Sequence, residues 1–377
     1  MFIRRRVLFA VPGLILFLFV TSLSATPLHA LQTEELCERE FISVNRPLND
    51  LGSDEYVRLE GGPTGFTGGL YPSGQNSRPA AHEASGVELA NQIQPLDAAG
   101  DHDPAGTIVM TSVGMSNAGM EFAEFIRWAE DDPEVNQDLL IVNGAQAGAV
   151  SDDWTDPDAP TWDVVEQRLA HHGVTPEQVQ VVWVKQTRTG SGDFPEKAQI
   201  VQEDLEIIAR NLLIHFPNVR LAYYSSRTRS YTYWQGLSPE PAAFENGFSV
   251  KWMIEAQIDG DPDLNFEPEA GPVVAPYLSW GPYLWIDGEN ERSDGRVWLT
   301  SDLIQDCTHP SESGVDKVAD QLLDYFKTDT TTAPWFLEDG TPPDPTPTAT
   351  PGPTPTPSPT PPPPPPDEYY LFLPTIN

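Results

Sequence analysis

The chain has 377 residues, of which 56 are acidic and 21 basic, for a formal net charge of −35 at pH 7. A surface this negative repels nucleic acid and anionic lipid, so neither is expected as a partner. It keeps a protein soluble by self-repulsion but names no substrate.

The first 30 residues read as a secretory signal peptide: Arg4-Arg5-Arg6 precede an apolar run from Val7 to Val20, and small and polar residues follow up to Ala25 or Ala30, where the cut is expected. The run is short for a bilayer span and contains Pro12 and Gly13, which disfavours the alternative of an uncleaved anchor. Cleavage removes three of the 21 basic residues and no acids, leaving 18 against 56 and a net charge of −38. The mature protein is thus expected to be secreted or held at a cell surface. The only cysteines, Cys37 and Cys307, both lie in the exported part, where a disulfide persists. Two buried thiols are the alternative. A bridge would tie the N-terminal segment to the loop between Asp306 and His309.

Residues 31–105 are rich in Gly, Pro, Asn and Asp, as in Gly61-Gly62-Pro63 and Gly68-Gly69-Leu70-Tyr71-Pro72, and predict a loop-rich segment packed over the main domain. The main domain spans 106–340. Short β-branched runs, Thr107–Val113, Asp138–Val142, Val179–Val184 and Val219–Tyr224, alternate with helical stretches at Asn117–Glu130, Thr161–His171 and Pro195–His215. This alternation predicts an α/β fold, a parallel sheet with crossover helices. A last helix, Ser313–Phe326, sets Val315, Val318, Leu322, Leu323 and Phe326 on one face. Residues 341–366 are almost all Pro and Thr, a disordered polyproline stalk with a reach of roughly 80 Å. The aromatic tail, 367–377, reads either as a surface-attachment signal or as an unstructured end.

Two stretches carry chemistry. Ser116, in Gly114-Met115-Ser116-Asn117, follows the first predicted strand and opens a helix, which places it at the carboxyl edge of the sheet. There it is either a helix N-cap or a nucleophile whose oxyanion the helix amides would stabilise. Asp306-Cys307-Thr308-His309-Pro310-Ser311 supplies an imidazole with a carboxylate three residues before it, the other two parts of an acyl-transfer triad, and favours the nucleophile. No histidine pair has convincing metal-ligand spacing, so no metal is expected. Trp234, Trp280 and Trp285 fall in aromatic, Gly/Pro-rich stretches after the fourth strand, where loops would border the site and flat rings could stack on sugars. Arg227 and Arg229 would meet an acidic substrate or pair with the chain's own carboxylates.

Ser116 after the first strand, a glycine after the second and Asp-x-x-His-Pro-Ser before the last helix together resemble the SGNH, or GDSL-like, hydrolase superfamily. The similarity covers about residues 107–326. It implies a flavodoxin-like three-layer α/β/α sandwich that acts on esters without a cofactor, with Ser116 as nucleophile, His309 as base and Asp306 as its partner. The Ser116 amide and Gly148, in Asn143-Gly144-Ala145-Gln146-Ala147-Gly148, would then serve the oxyanion hole. The sequence departs from the family at Gly-Met-Ser-Asn, which lacks the aspartate before the serine. It departs again at Val184-Lys185-Gln186-Thr187-Arg188, which lacks the oxyanion asparagine; Gln186 is the candidate substitute, with Lys185 or Thr187 behind it. The expected activity is a secreted serine esterase acting on an ester-bearing carbohydrate, another extracellular polymer or a small molecule. Asn117 is a further candidate for substrate binding. The alternative is a catalytically weak or inactive glycan-binding or adhesion module on the same fold at the cell surface.

Overall fold

The computed structural model describes Cys37 and residues 40–341. The leader, most of the Pro/Thr stalk and the aromatic tail lie outside the described residues. Five strands, β3 (Ile108–Gly114), β4 (Leu139–Val142), β5 (Val179–Lys185), β6 (Leu221–Tyr224) and β7 (Tyr277–Trp280), form one parallel sheet in the order β4-β3-β5-β6-β7. Every residue of β3 and β5 is buried. These two strands are covered on both faces, which is why they read as continuous apolar runs rather than alternating ones.

Alternate residues of β5 feed two cores: Val182 and Val184 face one, Val181 and Trp183 the other. The first core is closed by α4 (Pro160–His171), α5 (Glu196–His215) and α6 (Ala242–Ile258). The second is closed by α3 (Ser116–Asp131), α7 (Glu312–Thr328) and the short α8 (Ala333–Phe336), where Phe122 and Phe125 pack with Val318, Leu322 and Phe326. The result is a three-layer α/β/α sandwich with the flavodoxin-like strand order. The chain leaves β3 for β4 on one side and returns to β5 on the other, which opens a crevice beyond the carboxyl ends of β3 and β5.

The expected strands and helices form, and two more elements join them. Helix α6 was not expected, because Ala242 to Lys251 are all buried and the helix shows no polar stripe to mark its period. Strand β7 was read as loop, being four residues long with Pro276 before it and Gly281-Pro282 after. The N-terminal segment is more structured than its composition suggests. It holds α1 (Leu48–Leu51), an antiparallel hairpin of β1 (Glu55–Arg58) and β2 (Gly62–Thr67), and α2 (Ala80–Ala90). The hairpin is fastened to α6, with Tyr56 Oη donating to Glu245 Oε1 at 2.8 Å and Arg58 Nε at 2.7 Å. Tyr71 and Arg78 reach Ser279 Oγ at 3.0 and 2.9 Å and shield the open edge of β7, which would otherwise present unpaired strand groups to solvent. No helix among the described residues is long and apolar enough to cross a membrane.

Candidate active site

Strand β3 ends at Gly114, where a Cβ would collide with that of Ala118; glycine lets the first turn of α3 fold straight back onto the strand end. Met115, with extended backbone, takes the N-cap position, so Ser116 is the first helical residue rather than the cap. Ser116 Oγ lies 2.6 Å from His309 Nε2, and His309 Nδ1 lies 2.6 Å from Asp306 Oδ2. The structure thus brings Ser116 to an Asp306/His309 pair that lies 190 or more positions away, in the order hydroxyl, imidazole, carboxylate.

The loop carrying His309 is held from several sides. Asp306 Oδ1 accepts the amides of Thr308 at 3.0 Å and His309 at 2.9 Å. Burial pushes the Asp306 carboxyl up, but those two amides and the imidazole outweigh it and hold it below the usual carboxylate range. The side chain is therefore a carboxylate at neutral pH, as needed to keep a proton on His309 Nδ1 and leave Nε2 free to accept from Ser116. Cys307 is bonded to Cys37, with their Cα atoms 5.5 Å apart, and has a φ of 60°, a left-handed conformation uncommon outside glycine. Its carbonyl accepts from the Tyr231 amide at 2.9 Å. Asn117 Nδ2 donates to Thr308 O at 2.8 Å, which joins the helix of Ser116 directly to the loop of His309.

A buried ion pair underlies the site. Glu121, on α3, and Lys185, at the end of β5, have fully buried side chains, and Lys185 Nζ donates to both carboxylate oxygens at 2.6 and 2.5 Å. Burial, reinforced by the charge of Arg227 against the pull of Glu121, lowers the Lys185 ammonium to about 8. Burial likewise raises the Glu121 carboxyl, against the charges of Lys185, Arg227 and His309. Sequence reasoning did not anticipate this pair. Its only trace is a glutamate on the buried face of the amphipathic helix α3 and a lysine closing the apolar run of β5.

The remaining candidates fall into different places. Gly148 stands exposed, with a φ of 79°, in the loop after β4, and that loop is tied to the end of β3 by Gln146 N donating to Gly114 O at 2.9 Å. Gln186 is buried and its amide nitrogen donates to Ala149 O at 3.0 Å, so it fastens the Gly148 loop to the end of β5 instead of standing as an unengaged donor. Lys185 is committed to Glu121, and Thr187 is buried. Asn117, expected to contact substrate, is 2% exposed and positions the histidine loop. Trp285 is corrected from a loop ring to a core ring, fully buried, with Nε1 donating to Glu240 Oε1 at 2.9 Å. Trp280 closes β7 and its Nε1 is bound to Leu70 O at 2.6 Å, which removes its edge, and with 2% exposure its face, from any ligand at the site. Trp234 alone of the three is open, at 56% exposure, two residues beyond Thr232, which bridges Cys37. An open cleft of about 750 Å³ runs outside the β7 edge, lined by Arg78, Trp280 and Tyr325, and none of Ser116, His309 or Asp306 faces it.

No protein-family model and no curated protein matches the chain. Among solved structures, the chain is similar to a candidate SGNH hydrolase from Slackia heliotrinireducens, at 13% identity and a TM-score of 0.31 over 58% of this chain and 99% of that one. It is also similar to the periplasmic domain of a lipopolysaccharide acetyltransferase from Salmonella ser. Paratyphi A, at 11% identity and a TM-score of 0.34 over 66% of this chain and 97% of that one.

Proposed function

We propose that the protein is a secreted serine esterase that hydrolyses carboxylic esters through an acyl-serine intermediate on Ser116. The observation that carries this reading is the continuous hydrogen-bond chain from Ser116 Oγ through His309 to Asp306, with both links at 2.6 Å. In the first half-reaction Ser116 Oγ bonds to the ester carbon, its proton passes to His309 Nε2, and the carbonyl π pair moves onto oxygen. Collapse expels the alcohol, which takes the proton from His309. Water then repeats the sequence on the acyl-serine and releases the acid. Asp306 stays ionised and stabilises the imidazolium. The Ser116 amide, at the first turn of α3, and the Gly148 amide are the main-chain donors assigned to the developing oxyanion.

An exposed aromatic ring near the disulfide supports a substrate class. The 56% exposed Trp234 ring, lying over Gly236 beside the disulfide-tied loop, offers a flat face to a sugar, which supports an ester on a carbohydrate or another extracellular polymer. Export is supported by the leader sequence and the Cys37–Cys307 bond.

The test is release of p-nitrophenol from its acetate and butyrate esters by the mature protein, beside Ser116→Ala and His309→Ala. Each variant is expected to lose about 10⁴-fold or more in kcat. Equal rates in all three proteins would refute the esterase reading and turn attention to glycan binding without catalysis.

A further inference from the structure

Arg227 lies three residues beyond the end of β6. Its amide donates to Asn246 Oδ1 at 3.2 Å, and Asn246 Nδ2 donates to Gln186 O at 3.1 Å, so this backbone is clamped beside the end of β5. From there the side chain crosses toward the start of α3, where Nη1 comes 3.7 Å from the sulfur of Met115, the residue before Ser116. Only 3% of Arg227 is exposed.

A guanidinium so deeply buried ordinarily has its donors matched to oxygens. Arg229, two residues on, pairs with Asp287 Oδ1 at 2.5 Å and Ile42 O at 2.5 Å, and Arg292 is bound to Asp294, Gln321 and Tyr283 O. Arg227 differs from both. Its Nε is buried with no hydrogen-bond partner, and its only side-chain hydrogen bond among the described residues is the weak one to Met115. The two carboxylates that act on it, Glu121 and Glu240, are both engaged elsewhere. Lys185 holds both oxygens of Glu121, while Trp285 Nε1 and the amides of Ser230 and Phe244 hold those of Glu240. A buried cation with unmet donors is therefore aimed at the residue next to the nucleophile.

An unpaired charge in such a place is costly unless the site supplies a negative partner at the moment it is needed. We infer that the Arg227 guanidinium is the side-chain donor of the oxyanion hole, taking the place of the asparagine absent after β5. This rests on the esterase reading. When Ser116 Oγ bonds to the carbonyl carbon, the π pair placed on oxygen becomes a localised anion. A fixed guanidinium in a dry site then stabilises that anion far more than the neutral carbonyl, so the effect falls on kcat. Gln186 has its amide nitrogen turned to Ala149 O, where it holds the Gly148 loop.

The test compares Arg227→Met and Arg227→Lys with the wild type on p-nitrophenyl acetate, a neutral ester with no carboxylate to recognise. Arg227→Met is expected to lose about 10²-fold or more in kcat with little change in KM, and Arg227→Lys to recover part of the loss. Added guanidinium should partly rescue Arg227→Met, and affinity for a trifluoromethyl ketone analogue should fall in proportion to kcat/KM across the series, which a merely structural role would not produce. Thermal melting checks that each variant folds; should Arg227→Met fail to, the same kcat and analogue comparison is carried by Arg227→Lys. Full kcat in Arg227→Met would overturn the assignment. So would a loss confined to the KM of monosuccinyl esters, which would make Arg227 a receptor for an acidic acyl group. A wild type no faster than Ser116→Ala removes the esterase reading itself and this inference with it.

Discussion

Replacing Glu121 by Leu should be among the most destabilising single changes in the protein, and the structure sets its size. Both side chains of the Glu121–Lys185 pair are buried, at 0% and 1% exposure, so losing the carboxylate leaves an ammonium in the core with no counter-charge. Breaking such a pair costs about 3–5 kcal/mol. The lysine can escape by losing its proton, which bounds its own charge penalty. At pH 7.5, deprotonating a lysine of model value 10.5 costs about 4 kcal/mol, at 1.36 kcal/mol per unit. The sign of the pH dependence follows. The folded-state pKa is depressed, so the unfolded chain binds more protons and stability rises with pH through the window between the folded and unfolded values. In the wild type that window opens near 8; without Glu121 it opens lower, so the deficit of Glu121→Leu should shrink as pH rises from about 6 to 8. Urea unfolding of Glu121→Leu, Lys185→Met and the double variant measures this. The double variant should regain most of the lost stability, since two apolar side chains can replace the pair in a dry core. A deficit of Glu121→Leu under 1 kcal/mol, or a double variant as unstable as the single, would refute the reasoning.

Two further outcomes are expected. Changing Cys37 and Cys307 together to Ser frees a loop held at a φ of 60° beside His309, so kcat should fall while KM for a small ester stays near its wild-type value, and the melting temperature should drop; unchanged kcat would mean that the hydrogen bonds of the loop suffice alone. Glu240 is raised to about 7 by burial, against the Arg229 charge and its three N–H donors, so the folded state binds more protons and the group's contribution to stability falls as pH rises from about 4.5 to about 7. Wild-type stability should accordingly show up to about 1.4 kcal/mol per pH unit of downward slope there that Glu240→Gln lacks, and equal slopes in the two proteins would show that Glu240 does not titrate in that window.

Much of the site was legible in the sequence because it depends on short-range order. Ser116 follows a β-branched strand and opens a helix, so its place at the carboxyl edge of the sheet comes with the βα turn itself. Asp306 and His309 are three residues apart, close enough for one turn to set the carboxylate against the imidazole. The partners of the tryptophans were not legible. Trp285 and Trp234 sit in equally Gly- and Pro-rich surroundings, yet one packs on Phe244 in the core and the other stands open, because only the docking of α6 distinguishes the two positions. Helix α6 itself escaped notice through being buried along most of its length, which erases the polar stripe that marks a surface helix.

By itself, the sequence determined the alternation of strand and helix, the continuous apolar character of β3 and β5, and the local geometry at Ser116 and at Asp306-x-x-His309, because each follows from backbone and side-chain preferences spanning a few residues. The tertiary structure alone decided what those pieces meet. It set Ser116 2.6 Å from His309, turned Asn117 and Gln186 into struts between loops, paired Lys185 with Glu121 and left Arg227 unmatched beside Met115. The physical reason is that the free energy of a charge or an amide depends on which distant groups share its low-dielectric surroundings, and the sheet order that assembles those surroundings is not encoded within any one segment.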